Sequence, residues 1–126
     1  MPRTLSLFLV IVIAGCAGRT APTMSSGKPV SQWVEALKGA DVRVRCRAVR
    51  ALGNVGKADA AAIPALIDAL GDRDARVRGE AALALLKSGP DAREAVPALT
   101  RALKDKNAQV RYYAGKALEK IELPDR

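Results

Sequence analysis

The stretch VSQWVEALKGADVRVRCRAVRALGNVG, beginning at Val30, is written twice more in this chain. It returns as IPALIDALGDRDARVRGEAALALLKSG from Ile63 and as VPALTRALKDKNAQVRYYAGKALEKI from Val96, so the starts lie 33 residues apart both times. Val44, Val77 and Val110 fall in register, as do Arg45, Arg78 and Arg111. Ala48, Ala81 and Ala114 also coincide, and so do Leu52, Leu85 and Leu118. A fixed period of this length dictates a stacked-repeat architecture, because one such unit cannot bury its apolar side alone.

Each copy carries two helical patterns. Ile63, Leu66, Ile67 and Leu70 follow the i, i+3, i+4, i+7 spacing of one helix face. Val30, Trp33, Val34 and Leu37 repeat that stripe, and Val96, Leu99 and Leu103 repeat it with Thr100 interposed. Pro64 and Pro97 sit near the start of this first helix, where a missing N–H costs nothing. The second pattern is Val44, Ala48, Ala51, Leu52 and Val55. The segment VRVRCRAVR alternates like a strand at its beginning, but the alternation stops at Ala48 and its sister segments do not alternate. At about 100° per residue the five apolar positions share an arc of roughly 100°, which predicts a helix. Asp74 and Asn107 are placed to cap the second helix, and Gly56 and Gly89 to end it.

The segments AIPALIDALGDRDARVRGEAALALLKSG and AVPALTRALKDKNAQVRYYAGKALEKI resemble the HEAT-like repeats of the phycobilisome lyases, a pattern found in many bacterial proteins. The first copy departs from it, with Ser31 in place of the proline and Trp33 in place of leucine. The resemblance implies an all-α fold: a short right-handed α-α superhelix, or HEAT-like solenoid, of three helical hairpins over about residues 30–62, 63–95 and 96–122. It also implies a structural ladder in which Asp41, Asp74 and Asn107 face Arg45, Arg78 and Arg111, weakest where Asn107 supplies no charge. Trp33 is expected to seal the N-terminal end of the stack and Tyr112 to cover the C-terminal edge.

Solenoids of this kind expose an inner surface made by their second helices, and partners bind there. With Val44 at zero, Arg43, Arg47, Arg50 and Asn54 project at about 260°, 300°, 240° and 280°, a polar stripe opposite the core. The same positions hold Arg76, Glu80, Leu83 and Lys87 in the second copy and Gln109, Tyr113, Lys116 and Lys120 in the third. Arg43, Arg47, Arg50, Arg76, Tyr113 and Lys116 are therefore the candidate partner-binding residues. Arginine suits acidic peptides and lipid headgroups because its planar fork donates paired hydrogen bonds. Against this stands the plain reading of a solvated helix face. Cys46 lies between Arg45 and Arg47, which would favour a thiolate.

The chain begins MPRTLSLFLVIVIAGC: a positive start, an apolar run too short to span a bilayer, then small residues and cysteine. Ile13-Ala14-Gly15-Cys16 resembles the lipobox of bacterial lipoproteins. That resemblance implies a signal peptide over residues 1–15, lipidation of Cys16 and anchorage in the bacterial cell envelope, with the outer membrane favoured over the inner by Ala17. Residues 16–29 read as a flexible tether and residues 30–126 as the repeat domain. Cys46 would then be the one remaining thiol, with no internal disulfide. Losing Arg3 with the leader leaves 20 basic and 13 acidic side chains, a net charge of +7 that favours acidic partners.

With no histidine, the chain cannot build Ser-His-Asp or Cys-His catalysis or the common zinc sites. GNVGKAD lacks the spacing of a phosphate loop. The expectation is a non-enzymatic scaffolding or protein-interaction module with no cofactor, anchored to a membrane. Two alternatives remain: a bilin-lyase-like enzyme, and a basic groove for nucleic acid or anionic lipid. The envelope signal weighs against nucleic acid.

Overall fold

The computed structural model describes residues 24–25, 27–59 and 61–123. The expected leader, Cys16 and most of the expected tether lie outside the described residues. Two short strands, β1 (Met24–Ser25) and β2 (Lys28–Pro29), pair antiparallel. Six helices follow in three hairpins: α1 (Val30–Ala36) with α2 (Val42–Val55), α3 (Ala62–Ala69) with α4 (Ala75–Ser88), and α5 (Val96–Ala102) with α6 (Ala108–Glu122). Among the described residues no helix is long and apolar enough to cross a membrane.

Local chemistry sets these boundaries. Each long helix opens on a residue in extended conformation whose side chain accepts a backbone N–H: Asp41 from Arg43, Asp74 from Arg76, and Asn107 from Gln109 and Val110. Gly56 and Gly89 end α2 and α4 at φ values of 46° and 58°, where a side chain would be strained. Short 3₁₀ turns, Gly56–Ala58 and Gly89–Ala95, then lead into the next hairpin.

The hairpins stack as the 33-residue period requires, giving an all-α solenoid in which α2 packs along α4 and α4 along α6. Leu52, Leu66, Leu85, Leu99 and Ile121 are fully buried, along with Val49, Val77 and Val110. Each such side chain contributes roughly 2 kcal/mol. Alanines 48, 51, 81, 82, 114 and 117 fill the spaces between them and let the long helices approach closely.

Three expectations need correction. Val44, counted as core, is 38% exposed, because its counterparts Val77 and Val110 are covered by the preceding repeat and the first copy has none. Leu103 is 41% exposed for the converse reason: its counterpart Leu70 is buried under the next repeat. Residues 24–29, read as tether, include the β1–β2 hairpin, which packs on the first repeat. There the buried Ser25 hydroxyl donates to the Ala51 carbonyl at 2.8 Å, and the Trp33 indole N–H donates to the Ser25 carbonyl at 2.9 Å. The Lys28 ammonium lies 5.1 Å from the Trp33 ring centroid. Trp33 is buried between its own helix pair and this hairpin.

Candidate functional site on the long helices

Residues 43, 47 and 50 follow one another at helical spacing along α2, and all three arginines are exposed. With Arg76 of α4 they surround an open hollow of about 410 Å³ whose other walls are Val42, Cys46 and Glu80. Two of the four are neutralised inside the site. Arg50 donates from Nη2 to Glu80 Oε1 at 2.6 Å. Arg76 holds Asp74 through two contacts of 3.1 and 3.2 Å. The Arg76 side chain, and after it the Arg76 backbone N–H, lowers the Asp74 carboxyl to about 2. Among the described residues no carboxylate pairs with the side chains of Arg43 or Arg47, so these two leave uncompensated positive charge at the rim.

Glu80 and Arg50 also divide this hollow from a second one, of about 240 Å³, lined by Gly53, Asn54, Leu83, Ala84 and Lys87. Tyr113 and Lys116 line neither of these two hollows. Tyr113 is half-buried against the hydrophobic core. Lys116 donates to Glu119 at 3.0 Å and borders a separate hollow of about 530 Å³ with Leu86, Lys120 and Leu123. The structure thus gathers Arg43, Arg47, Arg50 and Arg76 around one hollow, which the two α6 residues do not line. Glu80 is the functional residue that sequence reading undervalued. Its signal was a spacing of 30 residues from Arg50, one repeat less about one helical turn.

The Cys46 thiol is half-buried and its pKa is raised, first by desolvation and next by the Glu80 carboxylate, against a smaller opposing effect of Arg50 and Arg76. This overturns the expected bias toward thiolate: Arg45 turns inward and does not face the sulfur's environment. Among the described residues no group of side chains is arranged to hold a metal ion.

The ladder forms with different acids from those expected. Arg45 donates from Nε and Nη2 to Asp72 at 2.9 and 3.2 Å, and from Nη1 to the carbonyls of Gly39 and Ala40 at 2.9 Å. Arg78 repeats this with Asp105, at 2.8 and 3.1 Å, and with the Asp72 carbonyl at 2.9 Å. Arg111 keeps the carbonyl contacts, to Asp105 at 2.8 Å and Lys106 at 3.0 Å. Asp41, Asp74 and Asn107 are not rungs, because their side chains are spent on capping. The residue two positions earlier, inside the turn, is the one that faces the preceding repeat's arginine. Asp72 and Asp105 also accept the backbone N–H of Asp74 and Asn107, which aims each carboxylate. Arg78 lowers the Asp105 pKa, and Asp105 raises that of Arg78.

The sequence matches HEAT repeats over residues 30–119. No curated protein matches the chain at a significant level. Among solved structures, it is similar to the complex of CpcE and CpcF of phycocyanin lyase from Nostoc sp. PCC7120, with a TM-score of 0.67 and 29% identity. That match covers 83% of this chain and 40% of the other. It is also similar to an engineered protein, with a TM-score of 0.62 and 30% identity, over 74% of this chain and 45% of that one. The chain therefore spans less than half the length of either structure. The stacked hairpins, the arginine ladder and the matched residues together establish that the chain belongs to the HEAT-repeat family.

Proposed function

We propose that the protein is a lipid-anchored scaffold of the bacterial cell envelope, and that its arginine-lined face docks an acidic segment of a partner protein. The observation that carries the docking role is the hollow between α2 and α4, where Arg43 and Arg47 have no internal carboxylate while Arg50 and Arg76 are already satisfied. An acidic segment laid across the rim would exchange water for charge-assisted hydrogen bonds to two planar forks. Family membership supports an interaction role, and the Ile13–Cys16 motif supports the anchor. The test is a photo-crosslinking residue at position 54, beside the hollow, in cells carrying either the wild-type rim or Arg43→Ala with Arg47→Ala. The proposal expects a discrete partner whose capture drops with the double variant, and unchanged capture would defeat it. Cys16→Ser should release the protein from membranes.

The similarity to a phycocyanin lyase complex favours a second reading, in which this chain handles a bilin. Purified protein that gained bilin absorbance when mixed with a phycobiliprotein would establish it.

A further inference from the structure

We infer that Glu80 is the specificity-determining residue of the arginine-lined face, which it restricts to an extended segment carrying two acidic side chains followed at the same spacing by a basic one. This rests on the docking role proposed above and names the charge pattern of its ligand.

The spacing along α2 sets the acidic part. Arg43 and Arg47 are four residues apart, so they are separated by about 6 Å along the helix axis. Side chains on one face of an extended segment recur every two residues, about 6.6 Å, so carboxylates at alternate positions meet both forks. A helical ligand, roughly 10 Å across with its side chains, is too wide to settle between α2 and α4. Those helices approach until a Cβ at Gly53 would lie 2.8 Å from that of Ala84.

Past Arg47 the sign of the face changes. Glu80 lines both hollows, and its Oε1 accepts from Arg50 at 2.6 Å while its Oε2 accepts no hydrogen bond among the described residues. Its charge reaches into the first hollow, where it raises the pKa of the Cys46 thiol. Arg50 and Arg76 are both committed to internal acids, so a third carboxylate would meet Glu80 with no free fork to receive it. An ammonium or guanidinium at that point would instead donate to Oε2.

The occupant comes from another chain. Residues 1–34 hold no acidic side chain and cannot supply it. The hollow lies between the first and second repeats, so stacking at either end of the chain leaves it open, since a repeat contacts only its neighbours.

Three synthetic peptides with blocked ends test this: Gly-Glu-Ser-Glu-Ser-Lys-Gly, its reverse, and Gly-Glu-Ser-Glu-Ser-Glu-Gly. Each is titrated into the isotopically labelled full-length protein at about 0.15 M salt, which screens nonspecific attraction, and backbone amide shifts in α2 and α4 are followed. One of the two lysine peptides should bind roughly fivefold more tightly than the all-acidic one. The net charge of +8 alone would give the opposite order. Glu80→Gln, which keeps the side chain's size and frees Arg50, should reverse the preference. Arg43→Ala with Arg47→Ala should abolish binding of all three, and circular dichroism melts confirm that each variant is folded. If no peptide shifts α2 or α4, the docking role and the inference fall together. Wild-type preference for the all-acidic peptide marks the face as a general polyanion surface, open to nucleic acid, and overturns the inference. Equal binding of the peptides, or a lysine preference that survives Glu80→Gln, overturns it as well while the docking role stands.

Discussion

Arg45 of the first repeat grips Asp72 of the second through two parallel contacts of 2.9 and 3.2 Å, with the arginine side chain only 4% exposed. A charge this far from water is tolerable because all of its donor groups are turned toward acceptors: one carboxylate and two turn carbonyls. The pair ties one hairpin to the next at the turn.

Removing the acid strands the base. Asp72→Ala should cost about 3 kcal/mol, the lower end for breaking a buried pair, since Arg45 keeps its carbonyl contacts. Asp41→Ala, which loses only a helix cap, should cost about 1 kcal/mol. Urea unfolding distinguishes them, and equal losses would mean that Asp41 shares the ladder's work.

Acid should loosen the stack in a defined window. The Asp105 carboxyl is held below the ordinary value of about 3.9 by Arg78, so its contribution is fully present above that value. It fades as pH falls through the lower, folded value, because the unfolded chain then binds the extra proton. Asp74 adds a parallel loss between its unfolded value and about 2. Unfolding midpoints measured from pH 6 down to about pH 2 should fall steeply for the wild type and less for Asp105→Asn, the two curves converging at the acid end. Parallel curves would show that Asp105 is not linked to acid unfolding.

Two glycines should respond oppositely to alanine. A Cβ at Gly53 would stand 2.8 Å from the Ala84 Cβ, closer than such atoms approach. Gly53→Ala should therefore destabilise by about 1 kcal/mol net, overpacking outweighing the gain in helix propensity. At Gly115 the nearest atom is Leu103 Cδ2 at 3.7 Å, so alanine fits and should stabilise by about 0.5–1 kcal/mol. Thermal melts of both variants decide it.

Cys46 should be a sluggish thiol. Burial and Glu80 raise its pKa, so alkylation by iodoacetamide near neutral pH should run several-fold slower in the folded protein than in urea. Peptide mass mapping follows this thiol separately from Cys16. A rate in the folded state equal to or above that in urea would return Cys46 to the reactive class.

What the sequence determined by itself was everything that repeats or acts locally. The 33-residue period demanded stacking, the apolar spacings made each hairpin, and Asp41, Asp74 and Asn107 capped helices within two or three residues of their own positions. The arginine stripe of α2 was legible for the same reason, since helical geometry alone aligns residues 43, 47 and 50. The tertiary structure decided whatever depends on how one repeat sits against the next. That offset chose Asp72 and Asp105 over the caps as partners of Arg45 and Arg78, paired Arg50 with Glu80, and pressed Gly53 against Ala84. It also gave Val44 and Val77 opposite exposures at identical positions in the period. A periodic sequence specifies the unit, but burial and charge pairing are set by which neighbours a unit has, and only the stacked chain supplies them.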